Sequence, residues 1–442
     1  MTDIERAYNA LTAKAPAYDL LWQYYEGRQP LRYSTERLKE TFRSLTAHFQ
    51  QNWCACIVDA ALDRISLLRF EVAGNEAATA RLNALWESTE LSLDENDAHA
   101  AALVCGESYI VVWPDAEGQV QAYYHDPRMM HLFYSQDNPR AKRFAAKWWV
   151  GDDGRRYLTL YYADRLEHYV SRGSSDAVNN VGAFVPADEP VAANPYGIVP
   201  VFHLRRERRA IRSELGNIIS LQDAVNKLLA DMMVAAEFGA FRQRYVISQV
   251  DPGQLRNAPN EIWAIPAGDG AGQSTAVGEF AQSDLGVYLA AIDKLSTSMA
   301  VITRTPKHYL YAQGGDPSGE ALIAMEAPLN RKVGQYLERF TVVWREIGGF
   351  LLQLSGMAVD PMTVSPVFEP VETIQPLTES IIRQNSVSAG IPLATQLRRE
   401  GWTDAELDAL ASEAGEAQAA QVRSLAAGLL EQQRRFDRGE TA

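Results

Sequence analysis

Residues 213–238, SELGNIISLQDAVNKLLADMMVAAEF, and residues 282–304, QSDLGVYLAAIDKLSTSMAVITR, are two helical stretches that flank about forty residues rich in strand and turn formers. In the first, Leu215, Ile218, Ile219, Gln222, Val225, Leu229, Met232 and Ala236 repeat with the helical period. Ser213 suits an N-cap, Glu214 a first turn, and Gly239 the helix end. In the second, Leu285, Leu289, Ile292, Leu295, Met299 and Ile302 follow the same spacing. At 1.5 Å per residue each helix would be about 35–39 Å long, well beyond the usual three turns. Two long helices carrying a small β-rich tip make a stalk too thin to bury its own apolar faces. Such a stalk needs copies of itself as neighbours.

A third helix is expected from Ser318-Gly319-Glu320-Ala321-Leu322 to about Leu354, kinked or reset at Pro328. Its apolar stripe, which includes Leu329, Val333, Tyr336, Phe340, Trp344, Ile347 and Leu351, is wide enough to mark a mostly buried element. Between the second helix and the third, residues 305–317 hold Pro306, Gly314, Gly315 and Pro317, which exclude regular structure.

The first seventy residues read as mainly helical, broken at Tyr24-Tyr25-Glu26-Gly27-Arg28-Gln29-Pro30-Leu31 and resuming near Asn52. A strand at 67–72 and helices at 76–90 and 96–105 lead through Gly106 into a strand at 108–113. A meander of strands follows at 120–124, 130–134, 142–150, 157–163 and 165–170, dominated by aromatic and β-branched residues. Residues 171–195 read as a mobile polar loop before a strand at 199–204. The tip offers strands at 244–250 and 261–265 and a loose loop at 268–274. A strand at 363–369 precedes a helical tail with a turn at Gly390-Ile391-Pro392. The fold class is α+β.

The chain has 442 residues, room for two or three domains, with 47% hydrophobic and 22% charged residues. No apolar run approaches the length needed to span a bilayer, and the N-terminus lacks a signal-peptide pattern. Cys54, Cys56 and Cys105 are too few for a disulfide framework. The expectation is a soluble protein of a reducing cytoplasm. The net charge of −14 argues against a protein that grips nucleic acid. It fits plain solubility, or a surface that DNA passes without sticking.

Catalytic signatures fail one by one. Gly314 and Gly319 have phosphate-loop spacing, but Glu320 and Ala321 stand where Lys and Ser or Thr are needed. Gly268-Asp269-Gly270-Ala271-Gly272 opens no helix after a parallel strand. Cys54 and Cys56 point to different helix faces, and the seven histidines are dispersed. Neither a metal nor a cofactor is expected. Residues 388–402 imitate a helix-turn-helix, yet Arg398 and Arg399 are cancelled by Glu400, Asp404, Glu406 and Asp408. The loop at 306–313 is different: Lys307, His308, Tyr309 and Tyr311, exposed there, would touch phosphates or sugars transiently.

The ordered motifs resemble bacteriophage portal proteins of long-tailed phages. They are Tyr24-Tyr25-Glu26-Gly27-Arg28, Asn52 with Val58-Asp59-Ala60 and Arg64, Gly106-Glu107-Ser108-Tyr109, Asn194-Pro195 with Ile198-Val199-Pro200-Val201, Ser213-Glu214-Leu215 with Asp223 and Asn226, and Asp316-Pro317-Ser318-Gly319-Glu320-Ala321-Leu322. The resemblance implies a ring, usually of twelve subunits, at one capsid vertex. By position it implies a wing at 1–212 and 319–373, stem helices at 213–240 and 282–304, and a clip at 241–281. A tunnel loop would lie at 305–318 and a short helical crown at 374–442. It implies partners: the terminase large subunit, a head-completion adaptor, the major capsid and scaffolding proteins, and double-stranded DNA passing non-specifically, with no membrane. The protein would reside in the virion, and in the host cytoplasm during assembly. Lys307, His308, Tyr309 and Tyr311 would face DNA. Leu215, Ile219, Val225, Leu229, Met232, Leu289 and Ile292 would pack the stem, while Asp251, Gln254, Arg256 and Asn260 would meet terminase. Two other classes stay open: a ring-forming adaptor through which no DNA passes, and a nucleic-acid-processing enzyme with acidic metal ligands.

Overall fold

The computed structural model describes residues 1–30, 32, 51–240, 244–247, 276–279, 284–311, 318–371, 384–399, 407–412 and 415. The chain divides into two compact units, 1–371 and 372–442.

The first unit opens with helix α1 (Asp3–Tyr25), started by a reciprocal Thr2–Glu5 capping box and closed at Gly27, which is left-handed at φ 69°. Helix α2 (Trp53–Leu62) is capped by Asn52. Strand β1 (Leu67–Val72) and helices α3 (Glu76–Ser88) and α4 (Leu91–Val104) follow. Strand β2 (Glu107–Pro114) is the centre of a three-stranded antiparallel sheet, between β3 (Val120–His125) and β9 (Val201–Arg205). A second antiparallel sheet runs in order through β4 (Met130–Tyr134), β5 (Lys142–Val150), β6 (Arg155–Tyr161), β7 (Arg165–Ser174) and β8 (Phe184–Ala193). The stalk helices are α5 (Ile219–Ala240) and α6 (Gly286–Thr303), with β10 (Arg244–Ile247) pairing β11 (Ala276–Glu279) between them in sequence. Helix α7 (Gly319–Leu354) leads to β12 (Val364–Phe368), which pairs antiparallel with β1.

Helix α7 is the column of this unit. Leu329, Val333, Tyr336, Phe340, Trp344, Ile347 and Leu351 are all buried, at the three- and four-residue intervals that place them on one face. Trp344 meets Trp86 at 5.4 Å and Phe70 at 6.4 Å, both edge to face, and donates its indole N–H to His99 at 2.9 Å. The buried indole therefore keeps a hydrogen bond, which burial of a tryptophan normally requires. Pro328 lies inside α7. The carbonyl that its missing N–H leaves without a helical partner belongs to Ala324, an exposed position open to solvent.

In the second unit a helical turn at 384–388 ends at Gly390, φ 92°, and α8 (Leu393–Arg399) resumes after Pro392. This is the expected turn.

Several expectations are corrected. Residues 171–195 are not a loop: they hold two short 3-10 turns, Ser175–Ala177 and Val181–Ala183, and then β8. β8 is an edge strand, where Pro186 and Pro190 need not donate to a ladder on both sides. The meander is split between two sheets, because β2 takes β9 from some ninety residues downstream as its second neighbour. Helix α5 starts at Ile219 rather than 213, since residues 214–218 form turns around Gly216 and Asn217. Ser213 accepts from the Leu215 amide at 2.9 Å instead of capping a helix. Helix α6 starts at Gly286 rather than 282. Within 305–317, Lys307–Tyr309 form a single 3-10 turn. The expected strand at 261–265 lies outside the described residues.

Candidate functional site

The site is the base of the stalk, where α5 and α6 join the body of the chain through buried polar side chains. Helix α5 docks first. Tyr24 donates to Asp223 at 2.7 Å and Tyr25 to Asp59 at 2.8 Å. Asn52 donates to the Tyr25 carbonyl at 2.7 Å, while Gln222 and Asn226 accept the amides of Trp53 and Gln51, each at 3.0 Å. Residues from three of the six sequence motifs thus meet at this joint. Each of these polar groups finds a partner, so the docking geometry is fixed rather than merely greasy.

A second joint centres on Glu214, whose side chain is 3% exposed. One oxygen accepts from Lys332 Nζ at 2.8 Å; the other accepts from Arg206 and from the Tyr336 hydroxyl, each at 2.7 Å. Lys332 also donates to the Thr303 carbonyl at 2.6 Å. The approach to α5, the exit of β9 and the middle of α7 therefore share one carboxylate, and Lys332 ties the end of α6 to them. Burial opposes its ionisation, but the charges of Lys332 and Arg206 outweigh this and hold it below the ordinary carboxylate value.

The third joint is the turn after α6. Arg304 caps that helix in the left-handed conformation, φ 57°. Arg64, from the end of α2, donates to the Tyr309 hydroxyl at 3.0 Å, Glu326 at 2.9 Å and Asn330 at 3.1 Å. Tyr309 donates in turn to Glu326 at 2.8 Å. Lys307 pairs with Asp293 of α6 at 2.7 Å. Lys307, His308, Tyr309 and Tyr311 are half-buried rather than free on a loop. Tyr309 and Tyr311 pack against the main core.

Of the expected stem residues, Leu215, Val225 and Ile292 are buried, and Ile219 and Leu229 pack against the core. Met232 is half-buried. Leu289 is instead exposed at 41%: it shares the α6 face of Ile292, Ser296 and Ala300, but lies in the first turn and a half of the helix, where four of the residues 286–290 are exposed. Asp251, Gln254, Arg256 and Asn260 lie outside the described residues.

Sequence reasoning missed a fourth cluster. Glu107, at the start of β2, accepts from Lys14 at 3.1 Å, Tyr18 at 2.7 Å, Tyr109 at 2.8 Å and His203 at 2.9 Å. His131 approaches Lys14 at 3.3 Å, and Tyr134 lies 3.1 Å from the other nitrogen of His203. The histidines are therefore not all dispersed. Burial penalises the Glu107 charge, yet the His203 hydrogen bond and the Lys14 charge hold its pKa well below normal. No spacing rule foretells this cluster, since its members come from α1, β2, β4 and β9. Among the described residues, no group of three or more His, Cys, Asp or Glu is placed to hold a metal ion. No helix among them is long and apolar enough to cross a membrane.

Acid sensitivity follows from the buried imidazoles. Burial and the charge of Lys14 push His131 down to about 4, while burial and Lys147 push His125 down to about 3. Unfolded histidines titrate near pH 6.5. Below that pH the unfolded chain takes up protons that the folded chain refuses, so stability falls as pH drops. At pH 5 each histidine should cost about 2 kcal/mol relative to neutral pH. Urea midpoints at pH 7.5 and pH 5 should differ accordingly. The double variant His125→Gln/His131→Gln should narrow that difference; an unchanged gap would assign it to other groups.

A family model described as "Phage portal protein, SPP1 Gp6-like" matches residues 4–420. The chain is also similar to a portal protein of Mycobacterium phage D29, with 24% identity over 353 residues, covering 73% of this chain and 68% of that relative. These matches define its class as a bacteriophage structural protein of the capsid. The chain belongs to the SPP1 Gp6-like family of phage portal proteins.

Proposed function

We propose that twelve copies of this chain close into a ring at one capsid vertex, forming the channel through which the genome is packaged and later ejected. The carrying observation is the outer face of α6. Val287, Val301 and Ile302 are exposed at 65%, 73% and 48%, and Lys294 is the single charged residue among the exposed positions of that helix. An apolar helix face in water calls for a cover. A neighbouring copy supplies one by a heterologous contact that closes by rotation. On this reading residues 1–212 and 319–373 are the wing, 213–240 and 282–304 the stem, and 374–442 the crown. The clip, 241–281, docks the terminase large subunit and later the head-completion adaptor through Asp251, Gln254, Arg256 and Asn260. Capsid and scaffolding proteins surround the wing.

The test is native mass with negative-stain images of the purified protein. Twelve chains of 49.1 kDa come to about 590 kDa, and the ring should show a central hole of roughly 20 Å or more, wide enough for duplex DNA. A ring without such a hole would favour an adaptor. A stable monomer at high concentration would remove the reason for the uncovered face.

Lys307 is the residue of the 305–311 turn best suited to a passing phosphate, with its side chain 38% exposed and paired, among the described residues, with Asp293. Lys307→Ala should change stability by less than about 1 kcal/mol, as expected of an exposed ion pair. It should leave ring assembly intact and alter packaged DNA length or retention. Unchanged packaged length and infectivity would remove Lys307 from the channel wall.

A further inference from the structure

The acidic total of this chain hides one strongly basic place. Residues 205–212 read RRERRAIR, five arginines in eight positions. The segment leaves β9 and borders a cleft of about 540 Å³ at the stalk base, lined by Arg206, Arg208, Arg209, Arg304, Lys332 and Arg339 against the carboxylates of Glu207 and Glu214. Arg206 and Lys332 are engaged by Glu214, and Arg339 donates to the Arg206 carbonyl. Arg208, Arg209 and Arg304 form no ion pair among the described residues, and all three are exposed. The recess beside it shares Arg208 and Arg339 and adds Arg140, Lys142 and Arg205, with Glu338 and Glu346 among them, and Lys142 is engaged by Glu346.

We propose that this cleft binds phosphates of the backbone of duplex DNA, with Arg208 and Arg209 as the contacting residues. Guanidinium forks match phosphate oxygens two at a time, and the cleft has room for a phosphate with its sugar. Arg304 at its rim immediately precedes the turn that carries Lys307, which places the cleft next to the segment expected to line the channel. The proposal rests on the portal reading for its choice of DNA. A local basic cleft in a chain of net charge −14 gives DNA one brief hold without a continuous grip.

The experiment measures binding of a 20-base-pair duplex to the full chain across a salt series, in whatever assembly the chain adopts. The double variant Arg208→Gln/Arg209→Gln spares Arg206 and Lys332, which belong to the Glu214 joint. Wild type should bind with a salt-dependent affinity. The variant should bind about tenfold more weakly at low salt, and its log–log salt slope should shrink by about 1.8, about 0.9 for each phosphate that an arginine no longer neutralises. An unchanged slope would overturn the proposal, as would loss of DNA binding in Lys307→Gln alone. A fall in native mass of the double variant would assign the arginines to contacts between copies and overturn it too. Rings with a central hole and an unaltered slope would sink the cleft and leave the portal reading standing; absence of rings in wild type would tell against the portal reading itself.

Discussion

Glu214→Ala should destabilise the protein by on the order of 3–5 kcal/mol, a loss that few single substitutions reach. The side chain contributes little apolar packing, so the effect is electrostatic. With the carboxylate gone, Lys332 and Arg206 face each other in a site where both are largely covered, at 8% and 14% side-chain exposure. Burial already lowers the Lys332 pKa, against the pull of Glu214. Without Glu214, whose charge raises it, the amine's pKa should drop further. The sign of the pH dependence then follows: a lysine with a depressed folded pKa makes the folded state more stable as pH rises. Urea denaturation at pH 6 and pH 9 should therefore show the variant recovering part of its deficit at the higher pH. The second variant Glu214→Ala/Lys332→Met should recover more, because it removes the stranded charge as well. A loss below about 1 kcal/mol, flat with pH, would mean that water reaches this joint and that the stalk is not anchored there. If the anchor is real, the angle between stalk and body depends on it, and ring yield should fall with stability.

Elements with strong local patterns were legible in the sequence. Strands β4 and β5 occupy the expected residues because aromatic and other large apolar side chains are concentrated there between clear turns. Ser318 caps α7 as its motif suggests, accepting the Ala321 amide. Strand β8 was not legible. Its Asp188, Glu189 and two prolines read as loop, and only the ladder with β7 makes it a strand. Strand β11, Ala-Val-Gly-Glu, likewise depends on a partner some thirty residues away. At the site, the motif residues Tyr24, Tyr25, Asn52, Asp59 and Asp223 could be named from sequence, but not who bonds to whom. Glu107 with Lys14, Tyr18 and His203 was invisible, since no spacing links residues nearly two hundred positions apart. The arginines of 205–212 were readable and were averaged away, because net charge is a sum over the chain and a phosphate meets only a local field.

Gly106→Ala should be a costly substitution for its size, and a matched control can show why. Gly106 joins α4 to β2 at φ 89°, a left-handed conformation that costs a non-glycine residue on the order of 1–3 kcal/mol. Sterics add to this. A Cβ at position 106 would lie 2.6–2.7 Å from the backbone C, O and N of Arg212, and no rotamer change can move a backbone aside. Gly118 has a similar φ of 79° but open space around it. Gly118→Ala should thus cost about 1–2 kcal/mol from strain alone, and Gly106→Ala about 2 kcal/mol more. Equal urea midpoints for the two variants would show that the 205–214 segment moves away easily. That segment is held from several sides: Arg206 donates its amide to the Gly106 carbonyl at 3.2 Å, and the Glu214 amide bonds to Leu103 at 2.9 Å. Pushing Arg212 outward would pull Glu214 off Lys332. Gly106→Ala and Glu214→Ala should therefore cost less together than the sum of their separate effects, because each releases the same strap. Additive losses in the double-mutant cycle would mean that the turn at Gly106 and the Glu214 joint hold the stalk independently.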